Sequence, residues 1–149
     1  MSNLYKKILI ATDGSEYIKK VVTHAIELAK LSGAGLHAVY VMDIIIDYGP
    51  KSYLSTDIST EGLENFLRNE GEEATKYIEE QAGEEGLSVE KWILKGHPAE
   101  EILKFADEQS VDMIVMGTLG RSGIEKFVLG SVADKVIRNS SIPVLIVRK

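Results

Sequence analysis

Lys7-Ile8-Leu9-Ile10-Ala11-Thr12-Asp13-Gly14-Ser15 is a nearly unbroken apolar run that ends in a turn signal. Apolar side chains at successive positions need burial on both faces, so the run reads as a strand inside a parallel sheet covered on both sides. Directly after it, Ile18, Val21, Val22, Ala25, Leu28 and Ala29 recur at helical spacing until Gly33 and Gly35 stop the pattern. The opening unit is therefore strand, loop, helix.

The same alternation continues outward from this unit. Leu36 to Met42 is a second β-branched run, and Asp43 to Thr60, with Gly49-Pro50, is a polar and aromatic excursion. As a lid, a disordered surface loop or a dimer contact, the excursion has no single reading. From Glu61 the apolar positions Leu63, Phe66, Leu67, Ala74, Tyr77 and Ile78 return to helical spacing; the glutamates between them read as a solvated face and Gly71 as a weak point. Leu87 to Leu94 is a third strand, less uniformly apolar, which suits an edge. Gly96-His97-Pro98 precedes a helix carrying Ile102, Leu103 and Ala106, with Pro98 at its first position. Met113 to Met116 is a fourth strand. A helix with Val132, Ala133, Val136 and Ile137 on one face follows, Ser140-Ser141-Ile142-Pro143 breaks it, and Val144 to Val147 is a fifth strand. The class is α/β: one domain over residues 1–149, with a five-stranded parallel sheet in order 3-2-1-4-5 and helices on both faces.

That order brings the ends of strands one and four together where the winding reverses, and ligands of such sheets bind outside those ends. The ends are Thr12-Asp13-Gly14 and Met116-Gly117, with Val39-Tyr40-Val41 beside them. The fourth strand runs into Met116-Gly117-Thr118-Leu119-Gly120-Arg121-Ser122-Gly123, and Gly130-Ser131 opens the next helix. Glycines let a ligand approach the main chain, and a helix N-terminus supplies unpaired N–H groups and partial positive charge, so the segment reads as a phosphate site or as a Gly-rich connection with no ligand.

Composition narrows the rest. The 149 residues are 44% hydrophobic and 27% charged with net charge −6, ordinary for a globular protein and opposed to general binding of nucleic acid or anionic membranes. The absence of cysteine removes disulfides and thiolate metal sites. The first residues lack the apolar stretch of a signal peptide and no segment is long enough for a bilayer, so a cytoplasmic location is expected; the Asn139-Ser140-Ser141 sequon then carries no weight. His24, His37 and His97 show no metal-ligand spacing. The Walker A, Gly-x-Gly-x-x-Gly and Gly-x-Ser-x-Gly patterns are missing, which argues against P-loop ATPases, simple NAD-binding domains and the usual hydrolases of such sheets.

Taken together, the residues resemble the universal stress proteins, in particular their ATP-binding branch. The family pattern of Gly, two residues, Gly, nine residues, Gly and then Ser or Thr is matched by Gly117, Gly120, Gly130 and Ser131. The segments Lys7 to Ser15, Gly96-His97-Pro98 and Pro143 to Arg148 also look like family segments, in order, so the resemblance covers essentially the whole chain. Leu119 departs from it, standing where many members carry His; its place between glycines points to a backbone role.

The resemblance implies the Rossmann-like, adenine nucleotide alpha hydrolase-like fold. It implies ATP as ligand, with Ala11, Thr12, Asp13 and Val41 near adenine and ribose and with Gly117, Gly120, Gly130, Ser131 and Val132 on the phosphates, Met116 leading into that loop. Val41 and Ala11 suit a flat base, and Asp13 can accept from ribose hydroxyls or meet a bound Mg2+. Asp13 can equally serve its own loop as an Asx-turn residue, or do both. Arg121 either supplies charge to a phosphate or is solvated.

The expected function is an ATP-binding, nucleotide-dependent stress or signalling module with at most slow hydrolysis, because nothing places Asp13, Asp43 or Asp47 as a base near a γ-phosphate. The alternatives are a nucleotide-independent homodimeric interaction protein, a weak ATPase, or a transferase with a second pocket. The resemblance also implies a homodimer through strand 144–147, antiparallel to its mate, which Leu145→Lys or Ile146→Lys is expected to weaken.

Overall fold

A computed structural model describes residues 3–44, 60–118 and 129–149 of the chain. The central strand is β1 (Lys7–Thr12), with Leu9 and Ile10 fully buried. On one side it pairs in parallel with β2 (Gly35–Met42), Lys7 opposite Gly35 and Thr12 opposite Tyr40. On the other it pairs with β4 (Met113–Gly117), Ile8 opposite Met113. Outside these lie β3 (Val89–Lys95) and β5 (Val144–Val147), giving the parallel order β3-β2-β1-β4-β5 read from the sequence.

The pleat explains why β1 is apolar at consecutive positions. Ile8 and Ile10 pack toward α1 (Ile18–Ser32) and α2 (Thr60–Glu84), whereas Leu9 and Ala11 pack toward α3 (Pro98–Glu108) and α4 (Ser131–Asn139). Each face thus has its own cluster of buried side chains, and the helices alternate with the strands to cover both. Among the described residues no helix is long and apolar enough to cross a membrane.

The amino end of the sheet is tied together through Asp112. Its carboxylate accepts the backbone N–H groups of Lys6 (2.7 Å) and Lys7 (2.9 Å), and its own N–H donates to the Lys7 carbonyl (2.9 Å). The Gly35 N–H donates to the Lys6 carbonyl at 2.8 Å, and Lys7 Nζ donates to the Gln109 carbonyl at 2.9 Å.

Three local readings differ from the structure. Leu87 is not in β3: its N–H donates to the Ala82 carbonyl (2.9 Å) and its side chain packs on the α1/α2 cluster, closing the end of α2. Gly35 begins β2 rather than ending α1, which stops at Gly33. Gly71 is a contact rather than a weak point, since a Cβ there would lie 2.6 Å from Tyr40 Cδ1. Only glycine lets α2 approach the buried Tyr40 ring so closely. Of the excursion, residues 45–59, including Asp47 and Gly49-Pro50, lie outside the described residues; α2 begins at Thr60.

Candidate functional site

The carboxyl ends of β1 and β4 are neighbours, and the chain leaves them toward opposite faces, into α1 from β1 and toward α4 from β4. This divergence opens a crevice at the switch point. A cavity of about 310 Å³ fills it, within the range of small-molecule sites. Ala11, Thr12 and Asp13 line it from the end of β1, Val41 from β2, Met116 and Gly117 from β4, and Gly130, Ser131 and Val132 from the start of α4. Leu119, Gly120 and Arg121 lie outside the described residues.

Two short bonds shape the first loop. The Ser15 N–H donates to Asp13 Oδ1 at 2.9 Å, and the Gly14 N–H donates to Thr12 Oγ1 at 3.1 Å. Gly14 sits at φ 83°, a left-handed conformation that favours glycine, so the chain turns sharply under the cavity. The Asx-turn reading of Asp13 is therefore realised. Among the described lining residues Asp13 carries the only ionisable carboxylate, and no Lys, Arg or His joins it.

The opposite wall is a helix start without a side-chain cap. Gly130, at φ −61° and ψ 155°, is the N-cap of α4, and its N–H is held by the Thr118 carbonyl at 2.6 Å. The first bond within the helix runs from the Asp134 N–H to the Gly130 carbonyl (2.9 Å). The N–H groups of Ser131, Val132 and Ala133 precede that bond and have no carbonyl within the helix; all three residues line the cavity. Oriented amides and the positive end of the helix dipole are a combination that suits an anion.

The third wall is apolar. Val39 and Val41 from β2 face Pro98 and Ile102 from α3, with Met116 beneath, an arrangement suited to a flat, weakly polar group. The crevice can thus hold a molecule with an apolar ring at one end and an anion at the other.

A family description of universal stress proteins matches residues 4–148. The chain belongs to the universal stress protein family. It is 44% identical over 147 residues to a universal stress protein of Methanocaldococcus jannaschii, covering 99% of this chain and 84% of the relative. The solved structure of a second protein of that organism, MJ0577, superposes with a TM-score of 0.81 at 32% identity over 98% of this chain and 97% of the other. The universal stress protein of Archaeoglobus fulgidus, solved in complex with dAMP, matches with a TM-score of 0.67 at 26% identity over 96% of this chain and 98% of the other.

Sequence reasoning about this universal stress protein missed part of the crevice wall. Pro98 and Ile102 read only as a helix start and a core face, although Pro98, three residues past the end of β3, must lie at the carboxyl end of the sheet where the cavity opens. Tyr17, the N-cap of α1, also lines the cavity, and its place four residues after Asp13 was the available signal.

The histidines stand apart from this site. His24 and His97 are exposed, and among the described residues no group of three or more His, Cys, Asp or Glu can hold a metal. His37 is buried on β2, where Nδ1 accepts the Trp92 Nε1–H at 3.3 Å and the ring faces Phe105 with centroids 6.3 Å apart. Nδ1 also lies 3.4 Å from Glu90 Oε2, an ion pair that would require a proton on the nitrogen that accepts from Trp92. Burial outweighs the exposed Glu90 and, with Lys7 adding to it, holds the imidazole below its ordinary 6.5. Burial thus favours the neutral ring, the form whose Nδ1 can accept from Trp92.

Proposed function

We propose that this universal stress protein binds ATP in the crevice between β1 and β4 and acts as a nucleotide-dependent stress or signalling module. The observation that carries the reading is the convergence of residues 11–13, 41, 116–117 and 130–132 on one cavity with an apolar wall and an uncapped helix start. In this reading adenine lies against Val41 and Ala11, the ribose meets Asp13, and the phosphates take the amides of Ser131 and Val132 and lie against Gly117 and Gly130, with Gly120 and Arg121 completing the phosphate loop. The dAMP complex of the Archaeoglobus fulgidus relative supports an adenine nucleotide in this fold.

Mg2+ fits as a companion of the phosphates. It is commonly held by one or two carboxylates together with substrate phosphates, and Asp13 is the carboxylate at hand. Hydrolysis is slow at most, because amides that hold phosphates do not by themselves position a water or stabilise a transition state. Chromatography of small molecules released from the denatured protein, followed by titration of the protein with ATP and Mg2+, tests binding; the absence of both a released adenine nucleotide and ATP binding would overturn it. Turnover at the roughly 1–100 per second of kinases, abolished by Asp13→Ala, would contradict the non-catalytic role.

The same reading includes a homodimer through residues 144–147. The β5 edge is apolar, and pairing removes such an edge. Leu145 packs toward α1 and α2 while Val144 and Ile146 pack toward α3 and α4, so a lysine at Leu145 or Ile146 also disturbs the core. Ile137 on α4, which packs on β5, is 42% exposed and gives a cleaner test. Ile137→Lys should shift the mass by light scattering toward the monomer with little loss of stability; a monomeric native protein contradicts the dimer.

A further inference from the structure

We propose that Lys149 is a phosphate-tail clamp for the crevice: its ammonium, resting on the Tyr17 ring at the rim, moves onto the terminal phosphates and favours a nucleoside triphosphate over a monophosphate. The proposal rests on the nucleotide reading of the crevice and names a residue that neither the glycine pattern nor the loop motifs include.

The charge balance of the site motivates it. Asp13 is the only acidic side chain among the described lining residues, no Lys, Arg or His joins it, and the whole chain carries net charge −6. A triphosphate brings several further negative charges; beside the Mg2+ and Arg121 of the reading above, the described lining offers only the partial positive charge of the α4 start, which fades within one turn. A full cation at the phosphate end would offset this repulsion.

Lys149 is in the right place. Its Nζ lies 4.6 Å from the centroid of the Tyr17 ring, and Tyr17 lines the cavity. The register sets Gly117 opposite Val147, so the chain beyond β5 emerges at the carboxyl end of the sheet, beside Thr118, whose carbonyl holds the Gly130 N–H. That is the proposed phosphate side of the crevice, three strands away from Val41 on β2. Lys149 is exposed, so its ammonium keeps much of its hydration and moves at little cost. A cation over an exposed aromatic ring is held weakly, and the four-carbon stem leaves it free to change partners.

Isothermal titration of the full chain with ATP and with AMP at low salt tests the clamp in the wild type, Lys149→Gln, Lys149→Arg and Tyr17→Leu. Lys149→Gln should weaken ATP about three- to fivefold, the upper range for an exposed ion pair, and AMP less than about twofold, with a flatter salt dependence for ATP. Lys149→Arg should retain the ATP preference. Tyr17→Leu, which removes the resting place, should leave that preference intact or raise it. Wild type and Lys149→Gln binding ATP alike, or Lys149→Gln weakening ATP and AMP equally, overturns the clamp while the crevice reading stands. A wild type that binds neither nucleotide overturns both.

Discussion

The two ends of the sheet are built from the same five strands and treated in opposite ways. At the amino end, Asp112 takes two backbone N–H groups, and Gly35 and Lys7 add bonds to the neighbouring turns. At the carboxyl end the chain diverges around a cavity of about 310 Å³, and the first amides of α4 face that space with no side-chain cap. A helix start without a cap forgoes stability that Ser, Thr, Asp or Asn would supply, so the contrast separates an end that holds the fold from the end where a ligand is proposed. The difference predicts that substitutions at the two ends fail in different assays.

The largest effect is expected at the amino end. Asp112→Ala removes a charged acceptor from two backbone donors and should cost about 2 kcal/mol in chemical denaturation while leaving ATP affinity unchanged. A loss of binding that exceeds the loss of folding would break the comparison. At the carboxyl end, Ser131→Glu places a negative charge where the phosphates are proposed to lie. ATP affinity should fall at least about tenfold, about 1.4 kcal/mol, while stability stays level or rises slightly because an acid suits a helix N-terminus. Unchanged affinity would remove α4 from the site.

The smallest effect concerns the buried cluster in the amino half. His37 is held below its ordinary 6.5, so between that value and its folded value the unfolded chain binds more protons than the native one. Stability is therefore full above 6.5 and falls as the pH drops below it, and Trp92, which donates to His37, reports the change by fluorescence. His37→Gln should flatten this dependence between pH 7 and 5.5. The same slope in the variant would assign it to other groups.

The fold was legible because β1 and β4 are apolar at consecutive positions, a pattern that a sheet covered on both faces requires and a one-sided sheet does not. Boundaries were less so. Leu87 is as apolar as a strand residue, and only the backbone bond to Ala82 shows that it closes a helix. Gly71 read as a local defect because its partner, Tyr40, lies far off in the sequence and the 2.6 Å approach exists only once α2 packs on β2. For the crevice, glycines and turn residues announce themselves by conformational need. Pro98, Ile102 and Tyr17 do not, because their side chains fit a helix start or a core equally well and only the packed helices bring them to the cavity. The pairing of Lys149 with Tyr17 is equally a product of tertiary structure.

Amide hydrogen exchange, followed with and without saturating ATP and Mg2+, addresses the separation of the two ends most directly. The account predicts slowed exchange at residues 13–17, 117–118 and 130–133, and no change at Lys6, Lys7, Gly35 or Asp112 beyond the uniform gain that any ligand gives a folded protein. Protection confined to the amino end, or none at residues 130–133 with ATP bound, would contradict it.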